Sequence, residues 1–232
     1  MLSRYAIGLR EWEPVRRATG ERPYSRNEIT ADRIVHFSGI ALGFSASAVL
    51  LMVVSSATNH RLFYAGLVYV ACLSVMLVCS AAYHLSAAAP RRALLQRLDH
   101  IAIYLIIAGS YTPLTIGRLP AVWDVGMTAA VWAGALVGTV AKLVFPAAIR
   151  SVSVALYLTF GWFAAIPISS LLASLDLATF VLIIAGGILY SIGAIIHLWR
   201  SLPYHTAIWH GLVVIAAGCH YAAILLSIVS AG

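Results

Sequence analysis

From about residue 33 onward the chain is a succession of seven apolar runs with short polar breaks between them. The runs are 33–57, 62–87, 96–116, 122–144, 151–173, 177–199 and 206–230. A helix needs about 20 predominantly apolar residues to cross the hydrocarbon core of a bilayer. Each run therefore predicts one membrane-spanning helix. The breaks have chemical causes. Asn59-His60-Arg61 separates the first two runs, and Pro90-Arg91-Arg92 ends the second. Gly117-Arg118-Leu119-Pro120 ends the third, Pro146 follows the fourth, Asp176 precedes the sixth, and Arg200 with Pro203 precedes the seventh. Pro113 and Pro167 fall inside runs, where neighbouring groups can satisfy the carbonyls they release. The expected fold is an all-α integral membrane protein: a tail over 1–32, irregular or an interfacial helix with Trp12 as an anchor, then a seven-helix domain over 33–232.

Composition agrees with this reading. Apolar residues make up 62% of the 232 and charged residues 10%, against roughly 25% charged in an ordinary soluble domain. The net charge of +7 does not point to nucleic acid, because the basic residues flank apolar runs instead of forming a stripe. With the N-terminus inside, thirteen of the fifteen Lys and Arg fall on cytoplasmic segments, and only Arg61 and Arg118 fall outside. Lys/Arg excess in short cytoplasmic loops sets orientation, so the expected topology is N-terminus cytoplasmic and C-terminus outside, in a cell membrane of the bacterial inner-membrane type. Cys72, Cys79 and Cys219 all lie within apolar runs and form no CxxC pair, which suggests neither a disulfide framework nor a cysteine zinc site. Gly134 and Gly138 permit close helix contact without specifying an oligomeric state.

Ionisable groups inside spans are functional candidates by default. The expected topology gathers His36, His84, Asp99, His100, His197, His205 and His210 at the cytoplasmic level, and leaves His60 at the opposite end. His220 lies about 15 Å deeper than His210. Helix-end histidines such as His36, His60, His100 and His197 ordinarily meet headgroups or cap carbonyls. His220 is open between a helix-to-helix hydrogen bond and a site role. Ser80 and His84, four apart, share a helix face, and Asp99 follows about one turn into the third span. Imidazole with carboxylate suits a zinc site that activates water.

The segments Ser80-Ala-Ala-Tyr-His84, Arg97-Leu-Asp-His100 running to Ser110-Tyr-Thr-Pro113, and Pro203-Tyr-His-Thr-Ala-Ile-Trp-His210, closing with Cys219-His-Tyr221, resemble the bacterial hemolysin III family. That family is related to the progestin and adiponectin receptor proteins and, more distantly, to the alkaline ceramidases. The resemblance runs from Glu28 to near the end of the chain. It implies a seven-helix, N-inside fold with a zinc ion near the cytoplasmic face, held by one histidine on span two and two at the start of span seven. It also implies an aspartate acting through water and a nearby serine. By position these are His84, His210, Asp99 and Ser80. One element departs: the family's span-seven pair is His-x-x-x-His, whereas Thr206 stands at the first position here and the histidine is His205. Residues 205 and 210 are about 140° apart on a regular helix, against about 40° for 206 and 210. Either His205 ligates through an irregular first turn, or His36, His220 or water completes the set, or the metal site is weak or absent.

Two function classes follow. One is a zinc-dependent hydrolase of a lipid amide or ester entering from the inner leaflet. His84, His210 and His205 would hold zinc, Asp99 would position water, and Ser80 would support the site. The other is a non-enzymatic membrane-homeostasis or signalling protein with a structural metal. The family's name adds a membrane-lytic alternative, which the uniformly apolar spans disfavour.

Overall fold

The computed structural model describes residues 24–56, 59–85, 89–145 and 153–230; within these, the side chains of residues 84, 85, 89, 90 and 92 are outside the description. The described residues form helices and no strand. In chain order these are α1 (Arg26–Ser55), α2 (His60–Leu85), α3 (Ala89–Thr115), α4 (Ala121–Val144), α5 (Ser153–Gly161), a 3-10 turn (Trp162–Ala165), α6 (Ile168–Ser174), α7 (Leu177–Leu198) and α8 (His205–Val229). Large apolar side chains point outward along them, Leu42 being 61% and Leu136 65% exposed. Such an outward face suits lipid, where helices satisfy their own backbone groups. Among the described residues five helices (α1, α2, α4, α7 and α8) are long and apolar enough to cross a membrane, and α5 with α6 makes a sixth if the bent pair is one span.

The 27-residue α3 falls below that apolar level, and its position explains why. It packs between α2 and α4 and also touches α5 and α8, so protein surrounds much of it. Polar residues near its end find partners inside the bundle. Thr115 shares a hydrogen bond of 2.6 Å with Thr128 on α4, and Trp132 Nε1 donates to Thr112 Oγ1 at 3.1 Å. A helix enclosed this way can span with less hydropathy than one facing lipid.

The packing order is a ring: α1, α2, α3, α5, α7 and α8, with α8 closing onto α1 and α4 lying against α3. Leu50 and Val54 of α1, Tyr69, Leu73 and Leu77 of α2, Ile183 of α7 and Ile224 of α8 fill its main core. Tyr104, Ala108, Val131 and Ala135 fill a second core between α3 and α4. Gly138 lets α4 close on α3: a Cβ there would meet the Tyr104 ring at 2.6 Å. Gly134 faces the Phe160 ring of α5. The two small residues thus serve contacts within the chain.

The fifth apolar run is broken. Ser153–Ala165 and Ile168–Ser174 meet at a bend of 55° beside Pro167. Tyr111 on α3 repairs the break: its hydroxyl donates to the Gly161 carbonyl at 2.8 Å and accepts from the Ala164 N–H at 2.8 Å. Backbone groups released within an apolar layer need such partners.

Contacts between helix ends define two ends of the bundle. The starts of α1, α3, α5 and α8 and the ends of α2, α4 and α7 form one, called the head. The starts of α2 and α4 and the ends of α3 and α8 form the other, called the far end.

Candidate functional site

The head is built on the first three turns of α1. Ser25 and Glu28 form a capping box: the Ser25 N–H donates to Glu28 Oε2 at 2.7 Å, and the Glu28 N–H to Ser25 Oγ at 3.2 Å. The box starts the helix at Arg26, so Glu28, Asp32 and His36 are helical residues four apart on one face. That face meets the start of α8. Glu28 is buried, and its Oε1 accepts from the Tyr204 N–H at 2.8 Å. Tyr204 has φ 58° and ψ 15°, a left-handed backbone that costs a non-glycine residue about 1–2 kcal/mol. The Glu28 bond offsets that cost and seats the sharp entry into α8.

One turn further, Asp32 Oδ1 lies 2.6 Å from His210 Nδ1. A carboxylate only accepts, so Nδ1 carries the proton and donates. The next turn brings His36, whose ring centroid is 5.6 Å from that of His210. His36 Nε2 shares a hydrogen bond of 3.3 Å with Ser80 Oγ on α2. Trp209 stacks on His210 at 4.3 Å and on His197 at 4.1 Å. One end of the bundle therefore joins an imidazole with a carboxylate partner, a second imidazole and a serine, drawn from α1, α2 and α8.

His205 lies elsewhere in the head. It is buried and shares a hydrogen bond of 2.9 Å with the Tyr24 hydroxyl through Nε2. The helical offset from His210 accounts for the different direction. Asp99 lies inside α3, within electrostatic reach of the Cys79 thiol, next to Ser80, and of Tyr157 on α5. Tyr157 in turn donates to the His100 carbonyl at 3.0 Å. Lys142 and Ser153, both buried, are joined at 2.9 Å where α4 ends and α5 begins. His220 is a helix-to-helix group: its Nε2 donates to the Ile183 carbonyl at 3.2 Å and its ring packs on Tyr190 at 5.4 Å. His60 is exposed at the far end. The side chain of His84 and the tail with Trp12 lie outside the described residues.

Among the described residues no group of three His, Cys, Asp or Glu side chains could hold a metal ion. The donor chemistry of the head is nonetheless of the kind zinc takes, imidazole nitrogen with carboxylate oxygen. Asp32 and Glu28 were not among the residues singled out from the sequence. Their trace was legible: Ser25-Arg-Asn-Glu28 has the S-x-x-E form of a capping box, and counting helical turns from there aligns 28, 32 and 36.

A family model described as Haemolysin-III related matches residues 25–221. The chain is 32% identical over 191 residues to the Hemolysin-3 homolog of Bacillus subtilis (strain 168), covering 82% of this chain and 90% of that protein. It is 34% identical over 189 residues to Hemolysin-3 of Bacillus cereus, covering 81% and 85%. The Monocyte to macrophage differentiation factor of Homo sapiens is 30% identical over 129 residues, 54% of this chain and 52% of that protein. This last match supports the relationship to the progestin and adiponectin receptor proteins. The family match begins at the Ser25 cap and takes in the residues of the head just described except Tyr24. The chain belongs to the haemolysin-III-related family of multi-pass membrane proteins.

Proposed function

We propose that this chain is a seven-span inner-membrane protein with a cytoplasmic N-terminus, and that its head holds zinc in a site suited to hydrolysing a lipid amide or ester. The observation that carries the reading is the meeting of His210, His36 and Ser80 at one end of the bundle, with Asp32 on His210. The Lys/Arg asymmetry supports placing that end at the cytoplasmic face, and the enclosure of α3 by its neighbours supports counting it as a span.

His84 and His210 would hold the ion, as the family resemblance implies. His36 is the better-placed third imidazole, because it lies beside His210 whereas His205 is engaged with Tyr24. Bound zinc would polarise a carbonyl and lower the pKa of water toward about 7. Asp99 would orient that water and take its proton. Ser80, hydrogen-bonded to His36, would support an oxyanion. A lipid carbonyl reaches this level from the inner leaflet without leaving the membrane.

A structural-metal reading uses the same residues without turnover, in a membrane-homeostasis or signalling protein. Incubating the purified protein with ceramide-like and phospholipid substrates separates the two. Product formation that disappears in Asp99→Asn supports the hydrolase; intact lipid from zinc-loaded protein supports the structural metal. The relatives named Hemolysin-3 raise lysis as an alternative. Against it, the described helices turn apolar faces outward and fill the space between them with apolar side chains. Large-solute leakage from liposomes at low protein-to-lipid ratio would favour lysis.

A further inference from the structure

The geometry points to Asp32 as a positioning residue that sets the tautomer of His210. It rests on the zinc reading only for its consequence, not for the contact itself. Four observations converge. The Asp32 Oδ1 to His210 Nδ1 distance is 2.6 Å, short for a hydrogen bond. Both side chains are largely enclosed, 20% and 14% exposed, so water competes weakly for the contact. The His210 ring is bounded by Trp209 at 4.3 Å and His36 at 5.6 Å, which restricts its rotation. The neighbouring acid on the same face, Glu28, is committed to Ser25 and Tyr204, so Asp32 is the carboxylate that α1 gives to His210.

The consequence is chemical. With Nδ1–H donated to a carboxylate, the lone pair of a neutral imidazole sits on Nε2, the nitrogen across the ring. A carboxylate behind a histidine ligand also makes the opposite nitrogen more basic, and removing such a partner typically lowers metal affinity about 10–100-fold. Asp32 thus turns His210 from a ring with two interchangeable nitrogens into one whose Nε2 carries the lone pair. A simple clamp between α1 and α8 would need the contact but not the tautomer.

The test uses the full chain in nanodiscs with nitrogen-15 labelled histidine. The His210 signals are identified by their loss in His210→Gln. In metal-stripped protein His210 is expected to show a protonated Nδ1 and an unprotonated Nε2. Asp32→Ala is expected to shift it to the Nε2–H form or a mixture, and Asp32→Asn, whose amide oxygen still accepts, to restore the Nδ1–H form. In chelator competition with Zn2+, Asp32→Ala should weaken affinity about 10–100-fold and Asp32→Asn by less than about tenfold. Nε2–H in the wild type, or an unchanged tautomer in a folded Asp32→Ala, overturns the inference. If the wild type binds zinc and folded Asp32→Ala binds it equally tightly with the same tautomer, the inference fails and the zinc reading stands. If no zinc binds but the tautomer responds as expected, the zinc reading fails and the role of Asp32 stands.

Discussion

Each end of the bundle sets an enclosed carboxylate against a cationic or basic partner, and the partners differ. At the far end Asp124 is buried and faces the Arg61 guanidinium at 2.7 Å, while also accepting from the Gly117 N–H at 3.2 Å. Gly117 has φ 71°, so Asp124 braces a turn that a side chain would strain. Arg118 completes that end by donating to Ser230 Oγ at 3.1 Å. At the head Asp32 faces an imidazole. Guanidinium is permanently charged and has no lone pair to offer. Imidazole, once held at one nitrogen, offers the other. The far end uses its charges to fix a turn, and the head uses them to orient a group that can do chemistry. Perturbing each end should therefore move different observables.

The largest stability effect should come from the far end. Arg61→Ala leaves Asp124 buried without its cation. Losing one partner of a fully buried pair costs about 3–5 kcal/mol, and the exposure of the Arg61 side chain, 57%, lowers the expectation to about 2–3 kcal/mol. Unfolding in mixed micelles measures it, and zinc binding should be unchanged. An equal loss of zinc would mean the two ends are not separable.

Tyr111→Phe comes next. It removes the hydroxyl that joins Gly161 and Ala164 at the break in the fifth span, and should cost about 1–3 kcal/mol for the backbone groups left unsatisfied. Protease nicking near 161–168 should rise with it. Gly138→Ala should cost about 1–2 kcal/mol by pressing a methyl group against Tyr104. Unfolding measurements check both, and a head that works independently keeps its zinc affinity in each.

The smallest effect is expected at the start of α7. Asp176 accepts from the Thr179 N–H at 2.8 Å and from the Thr179 hydroxyl at 2.7 Å. These bonds, the backbone N–H first, hold its carboxyl below the usual range. A carboxyl lowered on folding stabilises above its unfolded pKa of about 3.9, and that contribution fades as pH falls through the lower folded value. Asp176→Ala should cost about 0.5–1 kcal/mol near neutral pH. The difference from wild type should shrink below about pH 4. A gap that widened instead would contradict the cap.

Much of this was legible in the chain. Apolar runs and their breaks located the helices, because lipid demands long apolar stretches. The histidine positions indicated which end would be polar. Three features were not legible from hydropathy. α1 begins at Arg26 because a capping box starts it, whereas the apolar count began at residue 33 and left Glu28 and Asp32 in the tail. The run over 151–173 reads as continuous, but Pro167 and the Tyr111 hydroxyl make it a bent pair. The Thr206 departure left several ways to complete a metal site. In the fold, Tyr24 bonds His205 while α1 brings His36 beside His210. That proximity depends on how α1 crosses α8, which no local pattern encodes.

The central claim is that the head is a zinc site built on His84, His210 and His36. Metal content per chain, measured on purified wild type and on single histidine variants, tests it most directly. The account predicts about one zinc per chain in the wild type, lost in His84→Ala, His210→Ala and His36→Ala and retained in His205→Ala. Zinc absent from the wild type, or lost in His205→Ala and kept in His36→Ala, would contradict it.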